Sequence, residues 1–286
     1  MSTYRKIHGR SIQAVTTDPT ESVAEGQIWY NTGSDTFKTV LLSEAWASGN
    51  SILTGRYNLG GSGTQTAGLI AGGTTPGIVT NTEHFDGVGW RYGGTLNVGR
   101  DSATMFGLST AATFVGGYAP SPNGFRALVE EYNGTAWSEE TDLNEGRQEI
   151  MGLGVYNAAL AVCGEPGSGT RVAKVEQWDG SSWTEVGDVN TIRTDAYHHF
   201  GSVTAGLIAG GQNPPNSPST LTNNETWDGS SWTTSPVSLG VARERHGGSG
   251  STTAAIVFAG KTPSASQADT TEELGDTVTL KTITDS

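Results

Sequence analysis

Glu225-Thr-Trp-Asp-Gly-Ser-Ser-Trp232 is the stretch that decides the fold, because the chain repeats it several times. Glu176-Gln-Trp-Asp-Gly-Ser-Ser-Trp183 is nearly identical, and two looser copies end at Trp137 and Trp90. These four tryptophans are spaced by 47, 46 and 49 residues, and Trp46 precedes Trp90 by 44. Repeats of this length are typical of propellers, solenoids and other arrays of small structural units.

An arginine follows each tryptophan, ten residues after the first four and eleven residues after Trp232. These residues are Arg56, Arg100, Arg147, Arg193 and Arg243. Two short strands come next, and the second ends in small residues, as in Leu69-Ile-Ala-Gly-Gly73. The arginine and the last glycine are 17 residues apart in four repeats and 18 in the fourth, which indicates a fixed hairpin of two strands.

The connection after this hairpin is the variable part of each repeat. Its five copies are rich in Pro, Ser, Asn and Gly, and they cover residues 74–80, 118–125, 165–171, 212–221 and 261–270. A third strand with Glu and an aromatic residue follows in the first four repeats, then Asp-Gly or Asn-Gly, which favours a tight hairpin, and then the tryptophan strand. Each repeat therefore predicts four short antiparallel strands, which form one blade of a propeller.

Five such repeats predict an all-β chain with a five-bladed propeller over residues 46–286. The fifth repeat has lost its aromatic residue and its tryptophan after Thr271. We therefore expect the two ends of the chain to meet in one blade, so that no sheet edge stays exposed. The first 45 residues do not carry the repeat and predict a separate N-terminal module with a hairpin over 27–31 and 36–40, although Trp29 to Phe37 faintly resembles part of a sixth blade.

The composition limits the possible functions. The formal charge of −13 lies entirely outside residues 1–40, and an acidic body is expected to repel nucleic acid. The single cysteine, Cys163, excludes a framework of intrachain disulfides. Neither an N-terminal signal peptide nor an apolar run long enough to cross a membrane is present, so we expect synthesis in a cytoplasm without membrane insertion.

The repeat resembles the kelch-type propeller repeat over residues 46–283: an arginine, a strand ending in Gly-Gly, a Glu-x-aromatic strand and a tryptophan. Cys163 and Ala259 depart from this pattern at the first glycine position. The resemblance implies a structural role, packing between neighbouring blades, for the repeated side chains. These are Trp46, Trp90, Trp137, Trp183, Trp232, Arg56, Arg100, Arg147, Arg193 and Arg243.

The N-terminal segment, with Gly26-Gln-Ile-Trp-Tyr-Asn-Thr-Gly-Ser-Asp-Thr-Phe-Lys38, resembles the opening of tail-fibre-like and other virion proteins of aquatic bacteriophages. This resemblance implies that residues 1–40 dock on other virion proteins and that the protein is oligomeric within the virion. The docking candidates are Tyr4, Arg5, Lys6, Arg10, Trp29 and Tyr30.

Enzyme chemistry is not expected from the sequence. A kelch-type copper enzyme would need a cysteine cross-linked to tyrosine, but Cys163 takes a position that other repeats fill with Gly or Ala. His198, His199 and His246 are conceivable metal ligands on first strands, but no third convergent ligand is evident. The Asp-Gly-Ser-Ser-Trp phrase resembles the Asp-box of sialidases, but it lacks the residue that separates Asp from Gly there. We therefore expect no catalytic residue, no cofactor and no metal.

Binding is the function that the sequence favours. Aromatic and amide side chains in the variable connections suit the recognition of a host-surface glycan. The candidates are Tyr118, Asn123, Phe125, Asn213 and Asn223. Together with the resemblance to phage virion proteins, this implies a non-enzymatic virion protein that docks through its N-terminal module and acts as a tail-fibre-type adhesin. The alternatives are a capsid decoration or head-fibre protein without a receptor and, from another class, a carbohydrate-active or copper enzyme.

Overall fold

The computed structural model describes residues 13–17, 28–39, 49–120, 124–167, 169–196, 199–213, 219–264 and 270–274. The chain divides into two compact units, Met1–Gly49 and Asn50–Ser286. Every regular element of these described ranges is a strand, and none of them contains a helix long and apolar enough to span a membrane.

The first unit contains a small three-stranded sheet. Its strands are β1 (Gln13–Val15), β2 (Ile28–Asn31) and β3 (Thr36–Thr39). β2 and β3 form the hairpin that the sequence predicts, and β1 pairs with β2 in parallel, with Gln13 opposite Trp29. The Asn31 carboxamide closes the hairpin turn, because its Oδ1 accepts the amide hydrogens of Gly33 at 2.9 Å and Ser34 at 3.0 Å.

The second unit contains five antiparallel sheets, one for each repeat. Blade 1 is β4 (Gly60–Thr64), β5 (Ala67–Ala71), β6 (Thr82–Phe85) and β7 (Trp90–Tyr92). Blade 2 is β8 (Thr104–Leu108), β9 (Ala111–Val115), β12 (Val129–Tyr132) and β13 (Trp137–Glu139), and its variable connection forms the small hairpin of β10 (Tyr118–Ala119) and β11 (Gly124–Phe125).

The remaining blades follow the same order along the chain. Blade 3 is β14 (Met151–Val155), β15 (Ala158–Val162), β16 (Val175–Trp178) and β17 (Trp183–Val186). Blade 4 is β18 (His199–Ser202), β19 (Ala205–Ala209), β20 (Asn224–Trp227) and β21 (Trp232–Thr234). Blade 5 is β22 (Gly247–Gly250), β23 (Ala255–Phe258) and β24 (Thr271–Leu274).

The five sheets are arranged as the blades of a β-propeller. The first strands of consecutive blades are neighbours in space, from β4 through β8, β14 and β18 to β22, so that they surround a central channel. The prediction of an all-β, five-bladed propeller with a short N-terminal β extension is confirmed. Four blades have the predicted four strands, and blade 5 has three within the described residues. The predicted meeting of the two chain ends concerns residues outside the described ranges.

The predicted Asp-Gly and Asn-Gly turns join the third and fourth strands of blades 1 to 4. In blade 3, Asp179 Oδ1 accepts the amide hydrogens of Ser181 and Ser182, both at 2.8 Å, while Gly180 has a left-handed φ of 95°. These amides and hydroxyls, with the Ser182 amide foremost, lower the Asp179 pKa to about 2. The same turn lowers the Asp228 pKa to about 2, with the Ser230 hydroxyl as its main cause.

The hydrophobic core lies between blades rather than within one sheet. Four clusters of buried side chains are each shared by two consecutive blades. In the first three clusters the later blade contributes its tryptophan: Trp137, Trp183 and Trp232. The cluster between blades 4 and 5 contains no tryptophan among its described residues, and a cavity of about 60 Å³ lies there, lined by residues such as Phe200 and Leu207. The indoles are therefore part of the contacts that hold consecutive blades together.

Candidate functional site

The repeated arginines form buried ion pairs with the glutamates of the third strands. Arg147 Nη2 donates to Glu176 Oε1 at 2.7 Å, and its Nη1 donates to the carbonyl oxygens of Cys163 at 2.7 Å and Lys174 at 3.0 Å. One guanidinium thus links the ends of the second and third strands of its blade. The five pairs are Arg56–Glu83, Arg100–Glu130, Arg147–Glu176, Arg193–Glu225 and Arg243–Glu272.

Each glutamate also accepts amide hydrogens from the chain that connects two blades. Glu225 Oε2 accepts the backbone amide of Asn190 at 2.6 Å and its side-chain amide at 3.0 Å, and Oε1 accepts the Thr191 amide at 3.0 Å. Asn97 and Asn144 bind Glu130 and Glu176 in the same way. The glutamate recurs visibly in the sequence, and the asparagine recurs three residues before the arginine in three repeats, but their roles were not predicted.

Burial disfavours the charged forms of the glutamates and arginines, whereas their hydrogen-bond and ion-pair partners favour them. Burial raises the pKa of Glu272, but the Gly240 amide, the Arg243 guanidinium and the Val241 amide together hold it below its usual value. Burial likewise lowers the pKa of Arg100, and the neighbouring Glu130 carboxylate opposes that change. Because each charge has partners, the pairs fix the course of the connecting chain.

Three of the periodic tryptophans, Trp137, Trp183 and Trp232, contact the preceding blade. The Trp137 indole Nε1 donates to Thr82 Oγ1 of blade 1 at 2.9 Å, and the ring packs on Tyr132, its cross-strand neighbour, with centroids 4.9 Å apart. Trp183 and Trp232 are buried similarly, whereas Trp90 is half-buried and donates to the Asn50 carbonyl oxygen at 3.2 Å. Trp46 lies outside the described residues.

The arginines place the residues that follow them on one face of the propeller. The residue after each arginine forms a β-bridge with the first residues of the variable connection: Tyr57 with Thr74, Asp101 with Tyr118, Gln148 with Glu165, Thr194 with Gln212 and Glu244 with Lys261. The chain between blades and the variable connections therefore share one face in every blade. We call this surface the loop face.

Five residues of the loop face surround the channel, each two positions after a repeated arginine. We call them the mouth ring: Asn58, Ser102, Glu149, Asp195 and Arg245. All five have a left-handed backbone, with φ between 52° and 57°. The Ser102 amide donates to the Asn58 carbonyl at 3.0 Å, the Glu149 amide to Ser102 at 2.8 Å, and the Arg245 amide to Asp195 at 2.6 Å. One backbone geometry thus carries five different polar residues, and three of them, Asn58, Ser102 and Glu149, line a cavity.

A cavity of about 560 Å³ opens beside this ring. Asn58, Ser102 and Glu149 of the mouth ring line it, together with small and apolar residues of the first strands of blades 1 to 3, such as Gly60 and Met105. Cavities of this size suit small organic ligands.

Glu149 has the most unusual environment of the mouth ring. Its Oε2 is buried and accepts no hydrogen bond from the described residues, although it forms a long ion pair with Arg171 Nη2 at 4.0 Å. Burial and the negative charges of Asp195 and Glu165 raise the pKa of Glu149, against the influence of Arg171 and Arg245. This carboxyl group therefore lacks the donors that stabilise the glutamates of the ion pairs.

The loop residues predicted to bind a ligand lie around the same face. Tyr118 and Phe125 stand opposite each other in the β10–β11 hairpin and form an edge-to-face pair with centroids 5.9 Å apart. Asn223 Nδ2 donates to Thr191 Oγ1 at 2.9 Å, and the Asn213 amide donates to the Ser219 carbonyl at 2.6 Å. Asn123 lies outside the described residues. The structure does not collect these side chains into one cluster, and the mouth ring was not predicted from the sequence.

The predicted docking residues of the N-terminal module lie mostly outside the described ranges, as is the case for Tyr4, Arg5, Lys6 and Arg10. Tyr30 lies in β2 and its hydroxyl donates to Asp35. Trp29 is its neighbour in that strand, opposite Lys38 of β3.

Cys163 and His246, two candidates for enzyme chemistry or metal binding, are both buried in the propeller. Cys163 is fully buried, and burial raises its pKa to about 11. Its φ of 57° matches that of Gly72 and Gly210 at the same repeat position. His246 is buried, with its Nε2 3.0 Å from the Ala209 carbonyl oxygen, while His198 and the His199 side chain are outside the description. Within the described ranges, no three His, Cys, Asp or Glu side chains are placed to hold a metal ion.

Comparisons with known proteins add no family to this picture: no protein-family model matches the chain, and no curated protein matches it significantly.

Proposed function

We propose that the protein is a non-enzymatic bacteriophage virion protein that docks through residues 1–40 and exposes its propeller as a tail-fibre-type adhesin. The resemblance of the repeats to kelch blades, and of the N-terminal segment to the openings of phage virion proteins, supports this assignment. In this proposal the protein is made in the host cytoplasm, joins the virion as an oligomer and contacts a host-surface glycan.

One observation supports the adhesin role. The residues of the loop face differ from blade to blade, whereas the residues that pack between blades recur in every repeat. The ion pairs recur in all five blades, but the variable connections and the mouth ring differ in every one. A rigid scaffold that carries its variable residues on one face is a common architecture of binding proteins.

The charge distribution supports a division of labour between the two parts of the chain. Residues 1–40 carry four basic and four acidic residues, including the cluster of Arg5, Lys6 and Arg10, whereas the rest of the chain carries all of the −13. The basic cluster is the docking element of this proposal, and the acidic propeller stays exposed to solvent.

Particle incorporation tests the docking claim. A full-length variant with Arg5, Lys6 and Arg10 changed to Glu is expected to fold but to be absent from purified particles, whereas Lys38→Glu in β3 serves as the matched charge-reversal control. Normal incorporation of the triple variant would refute docking through this cluster.

Host adsorption tests the adhesin claim. Particles that lack the protein are expected to adsorb poorly, and immunogold labelling is expected to place the protein at the tail. Labelling over the head with unchanged adsorption would instead identify a capsid decoration protein, and the adhesin role would be abandoned.

A further inference from the structure

We propose that the channel mouth around Glu149 binds one neutral saccharide unit. This inference rests on the proposed attachment function and assigns its receptor contact to named residues. It places recognition at the mouth ring, with the variable connections as its surroundings.

The size and lining of the cavity suit a small polar ligand. The cavity of about 560 Å³ lies within the range of 300–1,000 Å³ that is usual for small-molecule sites. Three members of the mouth ring, Asn58, Ser102 and Glu149, supply an amide, a hydroxyl and a carboxyl group at its lining. Such a mixture of donors and acceptors suits the hydroxyl groups of a sugar, each of which donates and accepts.

Glu149 Oε2 accepts no hydrogen bond from the described residues. The other acidic groups nearby have donors: Asp195 accepts from Gln212 and from Arg245 at 3.2 Å, and Glu165 accepts the Gly169 amide at 2.8 Å. Glu149 Oε2 has none among the described residues although it is buried. A buried acceptor without a donor is unfavourable, and a ligand hydroxyl group would remove this cost.

The mouth ring carries non-glycine residues on a left-handed backbone. Non-glycine residues disfavour a left-handed backbone, and at most other described left-handed positions the chain has glycine, as at Gly72 and Gly116; the exceptions are Asp35, Cys163 and Ala259. All five mouth-ring positions nevertheless carry a polar side chain. The observed backbone therefore points to a role for these side chains rather than for the turn alone.

One exposed aromatic residue adjoins the mouth ring in sequence. Tyr57 directly precedes Asn58, and it is 60% exposed on the loop face. An exposed aromatic ring beside hydrogen-bonding groups can cover the apolar face of a sugar ring, because aromatic and polar groups together line most ligand sites.

The local charge selects among saccharides. Asp195 and Glu165 add negative charge near Glu149, and Arg171 and Arg245 are the cations that offset it. Asp195 already binds Arg245, and Arg171 Nε already donates to Thr194 Oγ1 at 2.9 Å. On a body of charge −13, this mouth disfavours sialic and uronic acids and favours an uncharged sugar.

The test is a glycan array of neutral and acidic saccharides with the full-length protein, followed by titration calorimetry of the best neutral sugar. Glu149→Ala is expected to weaken binding at least about tenfold, a change of about 1.4 kcal/mol. Glu149→Gln keeps an acceptor oxygen and is expected to lose less, while Tyr57→Ala is expected to weaken binding about threefold to tenfold.

Glu139→Ala is the matched control, because Glu139 lies exposed on the outer strand of blade 2 and does not line the cavity. Thermal unfolding of each variant checks that the fold is retained. Binding by Glu149→Ala with wild-type affinity, a preference for acidic saccharides, or silence of the array would each overturn the inference.

The failure of this inference can be told apart from the failure of the adhesin role. If particles without the protein adsorb normally, the adhesin role fails, whatever the array shows. If those particles adsorb poorly but Glu149→Ala binds the sugar as the wild type does, the adhesin role stands and the binding site lies elsewhere.

Discussion

The blade interfaces and the mouth ring differ although their residues are only two positions apart in the sequence. At one position every repeat has a buried arginine paired with a glutamate. Two residues later the backbone is equally uniform, with left-handed φ in every blade, but the side chains are an amide, a hydroxyl, two carboxyls and a guanidinium. A uniform backbone with uniform side chains indicates a scaffold, and a uniform backbone with varied side chains indicates recognition.

The largest expected effect is the loss of a scaffold carboxylate. Glu225→Ala leaves the Arg193 guanidinium, which is fully buried, without its counter-ion, and we expect the free energy of unfolding to fall by about 3–5 kcal/mol. Equilibrium urea unfolding measures this change. In the control Glu185→Ala, the side chain is 57% exposed and 3.9 Å from Lys174, so a loss below about 0.5 kcal/mol is expected. Equal losses in both variants would contradict a structural role for the buried pairs.

The tryptophans allow a finer test within the scaffold. Trp137→Phe removes indole volume and the hydrogen bond to Thr82, whereas the buried Trp183 Nε1 has no acceptor among the described residues. We expect a loss of about 2 kcal/mol for Trp137→Phe and about 1 kcal/mol for Trp183→Phe, because the hydrogen bond contributes about 1 kcal/mol. The same unfolding assay separates them. A larger loss at Trp183 would show that the interblade hydrogen bond does not stabilise the fold.

The substitution Glu149→Gln in the mouth ring is expected to raise stability at pH 7 rather than lower it. Since the folded protein raises the pKa of Glu149, its ionisation lowers stability as pH rises from the ordinary value of 4.5 through the raised one. Glu149→Gln removes this cost, so we expect its melting temperature at pH 7 to exceed that of the wild type by about 1–3 °C.

The control for this prediction is the pH dependence of the difference. The melting temperatures of the wild type and Glu149→Gln should converge below pH 4, where Glu149 is protonated in both the folded and the unfolded chain. A lower melting temperature of Glu149→Gln at pH 7 would assign the residue to the scaffold.

The smallest effect concerns the turns of the blades. The pKa of Asp179 is about 2, so its contribution to stability is complete above about pH 4 and is lost as pH falls towards 2. Replacing Ser181 and Ser182 by Ala removes two hydroxyl donors but keeps both amides, and the pKa should move part of the way back to 3.8. Carboxyl NMR titration reports this, with Asp228 of blade 4 as the unaltered internal reference. An unchanged Asp179 pKa would show that the hydroxyls contribute nothing.

The fold was predictable because local signals repeat. The Asp-Gly turns, the constant distance from arginine to glycine and the tryptophan spacing predict strands, hairpins and blade number from residues that are close in sequence. The Arg–Glu pairs are a different case: both residues recur visibly, but Arg147 and Glu176 are 29 positions apart, and only the propeller geometry shows that they meet.

The candidate site was less predictable. Tyr118 and Phe125 attract attention as aromatic residues in a variable connection, whereas Glu149 is one acidic residue among 29 in the chain. What distinguishes it is burial without a donor beside a cavity, and that environment arises from three different blades. A side chain whose role comes from its neighbours in space leaves no pattern in the sequence.

Urea unfolding of Arg147→Met and Glu149→Ser, measured side by side, tests the division between scaffold and mouth ring most directly. The two substitutions lie in one segment, and each removes a charged side chain that contacts blade 3. We expect Arg147→Met to lose about 3 kcal/mol or more, because Glu176 would stay buried without its cation, and Glu149→Ser to remain within about 1 kcal/mol of the wild type. Similar losses in both variants would contradict the account.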